Sequence, residues 1–193
     1  MIRDDIDSDQ PLYVGSDNPM RAYVTEGAAI RLAAAAALSA TSLQVEPLAE
    51  ALTTGAKLRF RFSRKGPGLV VTVSADAAVG AQTVAVGVLD GHLPVRTLGR
   101  LIRNISTDTL EYVLRDGATG TMLVTKNNAA ITKVDAANGV CEWLIEDSDT
   151  FNEGTGAILV QPGRYIDTLR KTDAGDERPL LVGAVVVALP AAR

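Results

Sequence analysis

The feature that most constrains the fold of this chain is a segment that occurs twice, at an offset of 41 residues. Residues 34–45 read AAAALSATSLQV, and residues 75–86 read ADAAVGAQTVAV, with alanines at corresponding positions. A pair of leucines closes each copy: Leu48 and Leu52, then Leu89 and Leu93. A repeat of this length is typical of a supersecondary unit that buries its apolar face only when its copies pack together. Because the repeat duplicates no reactive side chain, it favours a structural or binding role over catalysis.

Length and composition indicate a globular protein with one large or two small domains. The 193 residues are 47% hydrophobic and 22% charged, with a net charge of −4, which disfavours general nucleic-acid binding. No signal-peptide pattern and no apolar run of the ~18 residues that a membrane helix needs is present, so we expect synthesis in a host cytoplasm and no membrane partner. Residues 1–10 are predicted to form an acidic arm. Asp5, Asp7 and Asp9 alternate there, but without the turn glycine and closing glutamate of a calcium loop no metal is predicted.

From residue 11 onward the sequence predicts an all-β protein. Short runs with period-two alternation are separated by turn formers, including Asn138-Gly139, a strong hairpin signal. The alanine run at 33–37 is too short for an isolated helix and predicts one helical turn or a strand edge. The predicted strands are Leu12–Val14, Met20–Val24, Ser42–Val45, Lys57–Phe62, Leu69–Val73, Thr83–Val86, Thr109–Arg115, Met122–Thr125, Ala130–Val134, Val140–Ile145, Gly163–Arg170 and Leu181–Leu189. Their spacing, with no long amphipathic helix, favours a sandwich.

The strand at 57–62 alternates without a fault. Leu58, Phe60 and Phe62 are expected on one face, and the basic residues between Lys57 and Lys65 on the other. Since like charges favour water, this basic cluster is interpreted as the solvated face of a hairpin.

Candidate catalytic residues are few, and none forms a convincing arrangement. His92 is the single histidine, and its counterpart in the first copy is Ala51, which favours a loop residue over a catalytic base. Cys141, the single cysteine, is predicted to be a small buried hydrophobe, and it excludes an intrachain disulfide. The carboxylates that could form an acid–base pair are Glu142, Glu146, Asp147 and Asp149. Charges at a strand end are usually a solvated rim, so we predict no enzyme activity, no catalytic residues, no metal and no cofactor.

The second half of the chain resembles a known family. Thr109 to Arg115, the stretch AAITKVDAANGVCEW at 129–143 and the stretch from Asp149-Thr150 to Pro162-Gly163-Arg164-Tyr165 resemble the immunoglobulin-like domain of phage baseplate upper proteins. Residues 12–17 and 20–25 look like the first two strands of that domain. The repeat resembles alanine-rich modules of phage head-decoration and fibre proteins, although Ser39 stands where the second copy has Gly80. The resemblance implies an immunoglobulin-like β-sandwich formed by residues 11–25 and 104–193. It is interrupted by a repeated β module at 26–103, with copies at about 30–62 and 71–103.

The same resemblance implies a function through assembly. The chain is expected to be an accessory structural protein of a tailed-phage particle, located in the capsid decoration, the neck or the baseplate and tail. Its expected partners are other virion proteins and further copies of itself. The alternative is a receptor- or polysaccharide-binding adhesin, which the aromatic content of 4% supports only weakly.

Overall fold

The computed structural model describes residues 11–61, 68–173 and 176–190, and these residues form an all-β protein with several sheets. The acidic arm at 1–10 and the tip of the basic hairpin at 62–67 lie outside the described residues. The chain divides into two compact units. The first unit contains the residues up to Val24 and those from Asn104 onward, and the second unit is Thr25–Arg103.

The elements follow one another as short strands joined by turns. The strands in the described residues are β1 Leu12–Tyr13, β2 Asn18–Tyr23, β3 Thr25–Arg31, β4 Ser42–Gln44, β5 Lys57–Arg61, β6 Leu69–Thr72, β7 Thr83–Ala85, β8 Leu98–Ile102, β9 Leu110–Asp116, β10 Met122–Lys126, β11 Ile131–Asp135, β12 Val140–Ile145, β13 Phe151–Asn152, β14 Ala157–Ile158, β15 Gly163–Asp173 and β16 Asp176–Ala188. One helical turn, α1, covers Asp147–Thr150, and 3-10 turns cover Asn128–Ala130 and Ala136–Asn138.

Two main sheets, the short β13–β14 pair and one apolar core make up the described part of the first unit. The larger sheet has the order β1-β16-β15-β9-β10, and the smaller has the order β11-β12-β2. Neighbouring strands are antiparallel except β1, which runs parallel to β16. The rings of Tyr112 on β9 and Trp143 on β12 lie 4.8 Å apart, so this contact joins the two sheets across the core. Such an aromatic pair adds about 1 kcal/mol to the stabilisation from burial alone.

A local two-fold relation between the copies of the repeat organises the second unit. In the β4–β7 pair, Leu43 lies opposite Val84, which is its own equivalent 41 residues later, and both side chains are fully buried. In the β5–β8 pair, Arg59 lies opposite its equivalent Arg100. An antiparallel pair in which a residue faces its own equivalent has a two-fold axis at that point. The two copies are therefore related by a pseudo-two-fold axis.

Backbone hydrogen bonds outside the strands repeat with the same symmetry. The amide of Ala33 donates to the carbonyl of Gln44, and the equivalent amide of Ser74 donates to the carbonyl of Ala85, both at 2.9 Å. The turns that precede β4 and β7 are also equivalent. Ser39, before β4, has φ +65°, and its repeat equivalent Gly80, before β7, has φ +82°. The serine therefore adopts the left-handed conformation that glycine favours, and the substitution leaves the turn geometry unchanged.

Several predicted elements are confirmed and others are corrected. The alanine run forms no helix, and Ala36 instead makes an isolated bridge to Leu93. The hairpin at Asn138-Gly139 is present, with Gly139 at φ +67° after a 3-10 turn. Sequence patterning missed four strands. Gly27 and Gly99 interrupt the apolar alternation of β3 and β8, and β13 and β14 are only two residues long.

The prediction of a solvated basic face on β5 is wrong at Arg59. Leu58 and Phe60 are fully buried, as expected, but Arg59 is also only 3% exposed. β5 forms the predicted hairpin with β6, but its other edge pairs with β8, which places Arg100 directly opposite Arg59. Arg64 and Lys65, which belong to the same predicted cluster, lie outside the described residues.

Gly99 makes room for Phe60 in the pair of interior strands. A Cβ atom at Gly99 would lie 2.4 Å from the ring of Phe60, which is fully buried. We predict that Gly99→Ala lowers the free energy of unfolding by about 1–3 kcal/mol through overpacking. Denaturation followed by circular dichroism measures this, since the only tryptophan lies in the first unit.

Gly87→Ala is the matched control for this prediction. A Cβ atom there would lie 3.8 Å from the carbonyl oxygen of Thr72, an ordinary contact, so the change should stay within about 0.5 kcal/mol. Equal effects of the two substitutions would contradict the packing account.

Candidate functional site

A groove of about 600 Å³ lies against the outer face of the smaller sheet in the first unit. Strand alternation directs Met20 and Trp143 to the core and their neighbours outward. Glu142 lies opposite Arg21 on β2 and opposite Thr132 on β11. The groove is lined by Pro19, Met20, Arg21, Ala130, Thr132, Glu142, Trp143 and Leu144.

An ion pair between Arg21 and Glu142 crosses the groove. Hydrogen bonds to Tyr23 and Glu142 raise the pKa of Arg21 above its ordinary value. The two side chains remain 50% and 36% exposed, so their charges neutralise each other at the surface. The groove can accept an extended segment with both polar and apolar groups, but the paired side chains leave no acid or base poised for proton transfer.

The aromatic groups below the groove belong to the core. Trp143 lines the groove, yet its residue is only 4% exposed. Its Nε1 atom and the hydroxyl of Tyr112 are buried without a hydrogen-bond partner among the described residues. Burial and the negative charge of Asp167 raise the pKa of Tyr112 well above its ordinary value. Trp143 therefore offers no exposed ring on which a sugar could stack.

The carboxylates considered for acid–base chemistry belong to separate structural contacts. Glu142 pairs with Arg21, whereas Glu146 and Asp149 both bind the ammonium group of Lys126, at 3.0 and 2.6 Å. The Lys126 side chain is only 10% exposed. Burial lowers the pKa of Lys126, but the hydrogen bonds that its ammonium group donates to Asp149 and Glu146 outweigh this effect and raise the pKa overall. This group, which we call the Lys126 clamp, fixes helix α1 to the end of β10.

His92 and Cys141 lie in different units. His92 is exposed in a loop of the second unit, as is its repeat equivalent Ala51. Cys141 is fully buried, as predicted, and burial raises the pKa of its thiol to about 12. Because the thiolate is the reactive form, this cysteine is inert at neutral pH.

Neither a metal-ligand cluster nor a membrane-spanning helix is found among the described residues. Within residues 11–61, 68–173 and 176–190, no three histidine, cysteine or acidic side chains are grouped as metal ligands would be. Helices in that part of the chain are all too short or too polar to cross a membrane. Asp5, Asp7 and Asp9, the alternating aspartates of the acidic arm for which no metal is predicted, lie outside these ranges.

The sequence did not predict the ion pairs that join neighbouring segments at the surface. Arg21 and Glu142 are 121 residues apart, and Lys126 and Glu146 are 20 apart. The alternation of charges on β2 and β12 indicates which side chains face outward. It does not indicate that these two strands are neighbours.

No protein-family profile, curated protein or solved structure matches this chain.

The Lys126 clamp gives a prediction for stability. Lys126→Met leaves two adjacent carboxylates without their cation, so we expect the free energy of unfolding to fall by about 2 kcal/mol. Denaturation followed by the fluorescence of Trp143 measures the effect on the first unit. Arg21→Met removes an exposed ion pair and is the control, with an expected change within about 0.5 kcal/mol. An equal decrease in the free energy of unfolding for Arg21→Met and Lys126→Met would show that burial does not set the strength of these two ion pairs.

The end of β15 is held by Asp173. Its carboxylate accepts a hydrogen bond from the amide of Thr109 at 2.8 Å and pairs with the ammonium group of Lys171 at 2.7 Å. These contacts, that with Lys171 foremost, lower the pKa of Asp173 from 3.8 to about 2. A lowered pKa stabilises the fold above the unfolded-state pKa, and that stabilisation is lost as the pH falls through the folded-state value.

We therefore predict that the free energy of unfolding decreases as the pH falls from 3.8 to about 2, and that Asp173→Asn makes this decrease smaller. Asp76 and Asp116, whose pKa values are also lowered, retain part of the dependence. Denaturation at a series of pH values tests this, and identical slopes for the wild type and Asp173→Asn would refute it.

Proposed function

We propose that this protein is an accessory structural protein of a tailed-phage particle that acts by protein–protein assembly. Its place is in the capsid decoration, the neck or the baseplate and tail, with other virion proteins and further copies of the chain as partners. One observation carries the proposal. A β unit with internal two-fold symmetry is inserted between two consecutive strands of a second β unit, and the parts that repeat are packing and backbone hydrogen bonds. Such a design fixes surfaces in space.

The strand order supports an immunoglobulin-like sandwich in the first unit. In the variable type of that fold, one sheet contains strands B, E and D, and the other contains C′, C, F and G. We assign β2 as strand B, and β9 and β10 as C and C′. The strands β11, β12, β15 and β16 are then D, E, F and G. With this assignment the smaller sheet has the order D-E-B, and the larger sheet contains G-F-C-C′. The short β1 then adds to the edge beside G.

A local hydrogen bond also supports this fold. Immunoglobulin-like domains have a tyrosine near the start of strand F whose hydroxyl binds the backbone a few residues upstream. Tyr165 is the third residue of β15, and its hydroxyl donates to the carbonyl of Gln161 at 2.6 Å. Antibody domains also have a tryptophan on strand C and a B–F disulfide. This chain instead has Trp143 on the strand assigned as E and a single cysteine.

The position of the second unit fits a contact function. Under this strand assignment it occupies the B–C connection, one of three loops that variable domains use for recognition. Loops on a rigid scaffold are the usual place for binding residues. The sandwich would then hold the inserted unit, and the inserted unit would contact a neighbouring particle protein.

The alternative function, a receptor- or polysaccharide-binding adhesin, is favoured by the groove beside Arg21 and Glu142. A concave site with a few polar groups is a usual ligand site. The burial of Trp143 weighs against sugar binding there, because carbohydrate sites rely on exposed aromatic rings.

The copy number of the chain in purified particles tests the proposal. We expect quantitative mass spectrometry of density-purified particles to find the chain at a fixed stoichiometry, with tens to hundreds of copies for capsid decoration and a few for the neck or tail. Absence of the chain from purified wild-type particles would contradict the structural role.

A glycan array with the isolated chain separates the two functions. Reproducible sugar binding that Arg21→Met removes would favour the adhesin. The array is expected to show no binding. Leu98→Ser, on an exposed residue of the second unit, is the control for non-specific loss.

A further inference from the structure

Two exposed apolar patches occupy equivalent positions in the second unit. The first patch is Leu38 and Val88, which are 63% and 70% exposed. Hydrogen bonds between Ser39 and Leu89 and between Leu89 and Ala40, both 3.0 Å, hold these two segments side by side.

The second patch is Val79 and Pro47, the 41-residue equivalents of Leu38 and Val88. Val79 is 65% exposed, and Pro47 is exposed as well. Hydrogen bonds from Gly80 to Leu48 at 2.8 Å and from Leu48 to Ala81 at 3.1 Å again join the two segments. The pseudo-two-fold axis therefore presents the same apolar surface twice.

Neither patch contributes to the core, so packing does not account for its apolar residues. Single exposed hydrophobic residues are common and need no explanation. Other exposed positions differ between the copies, however. Val95, which is 52% exposed, corresponds to Thr54, and Asp76 corresponds to Ala35. Because these other positions differ, apolar residues at all four patch positions indicate that both patches have a binding role.

Each patch has one carboxylate near it in the sequence, but at positions that are not equivalent in the repeat, because Asp90 corresponds to Ala49 and Asp76 to Ala35. Asp90 follows Val88 by two residues and is exposed. Asp76 precedes Val79 by three residues, and hydrogen bonds from the amide and hydroxyl of Thr54, at 2.6 and 2.8 Å, lower its pKa. An acidic edge is complementary to lysine or arginine and repels another acidic edge, which disfavours patch-to-patch pairing between copies of this chain.

We infer that the two patches bind two identical copies of one neighbouring particle protein, through an apolar segment of that protein flanked by lysine or arginine. This inference rests on the proposed function and adds its partner and stoichiometry. One chain would bridge two identical subunits, and the two contacts would strengthen each other because the second forms within the same complex.

Site-specific photo-crosslinking with the full chain tests the inference. Benzoylphenylalanine replaces Leu38 in one variant and Val79 in another, the particles are assembled in cells and purified, and adducts are identified by mass spectrometry. We expect both positions to crosslink to the same segment of the same protein, and that segment to contain lysine or arginine. Adducts with two different proteins, adducts with a second copy of this chain, or no adduct at either position would overturn the inference.

Serine substitutions provide a second, quantitative test. Leu38→Ser and Val79→Ser should each reduce incorporation into particles about tenfold or more in competition with the wild-type chain, because each removes one of two linked contacts. Val95→Ser is the matched control and should incorporate like the wild type, and circular dichroism verifies that each variant is folded. Wild-type incorporation of either patch variant would overturn the inference.

The outcomes also separate this inference from the proposed function. Absence of the wild-type chain from purified particles would refute the proposed function. Presence of the wild-type chain in particles together with adducts to two different proteins would refute the inference and leave the proposed function standing.

Discussion

Strand register between the copies of the repeat is the constraint on which the second unit depends. Leu43 faces Val84 and Arg59 faces Arg100, so in each pair a residue meets its own equivalent. A shift of one residue would turn every buried side chain on these strands outward. The same register therefore has to satisfy both the burial of apolar residues and the backbone hydrogen bonds. The turn at Ser39 and its equivalent at Gly80 both have a positive φ despite the change of residue.

Symmetry also explains where the copies differ. Phe60 corresponds to Leu101 and Leu58 corresponds to Gly99, and in the β5–β8 pair Phe60 faces Gly99 while Leu58 faces Leu101. A large residue in one copy is thus accommodated by the loss of a side chain in the other. The two copies share a backbone plan, whereas their side chains fit each other as unlike halves of one core.

The first unit is stabilised by different means. Its two sheets meet at the Tyr112–Trp143 contact, and polar atoms of both side chains are buried there without hydrogen-bond partners among the described residues. That cost is offset by the apolar area that the rings bury. At the surface, ion pairs such as the Lys126 clamp join segments that the core does not hold. A scaffold of this kind suits the proposed assembly role, since binding residues usually lie on loops that packed sheets hold in position.

The sequence by itself determined most of the strands, the duplication, the burial of Cys141 and the turn at Gly139, because alternation and turn chemistry are local properties. Only the tertiary structure decided which strands are neighbours. It paired β5 with β8 as well as with β6, and Arg59, opposite Arg100, is buried there, contrary to the predicted solvated face. It brought Arg21 to Glu142 and Lys126 to Glu146 and Asp149, and it set residues of the repeat against their own equivalents. These are non-local pairings, fixed by the packing of sheets on a common core, and no local pattern of residues encodes them.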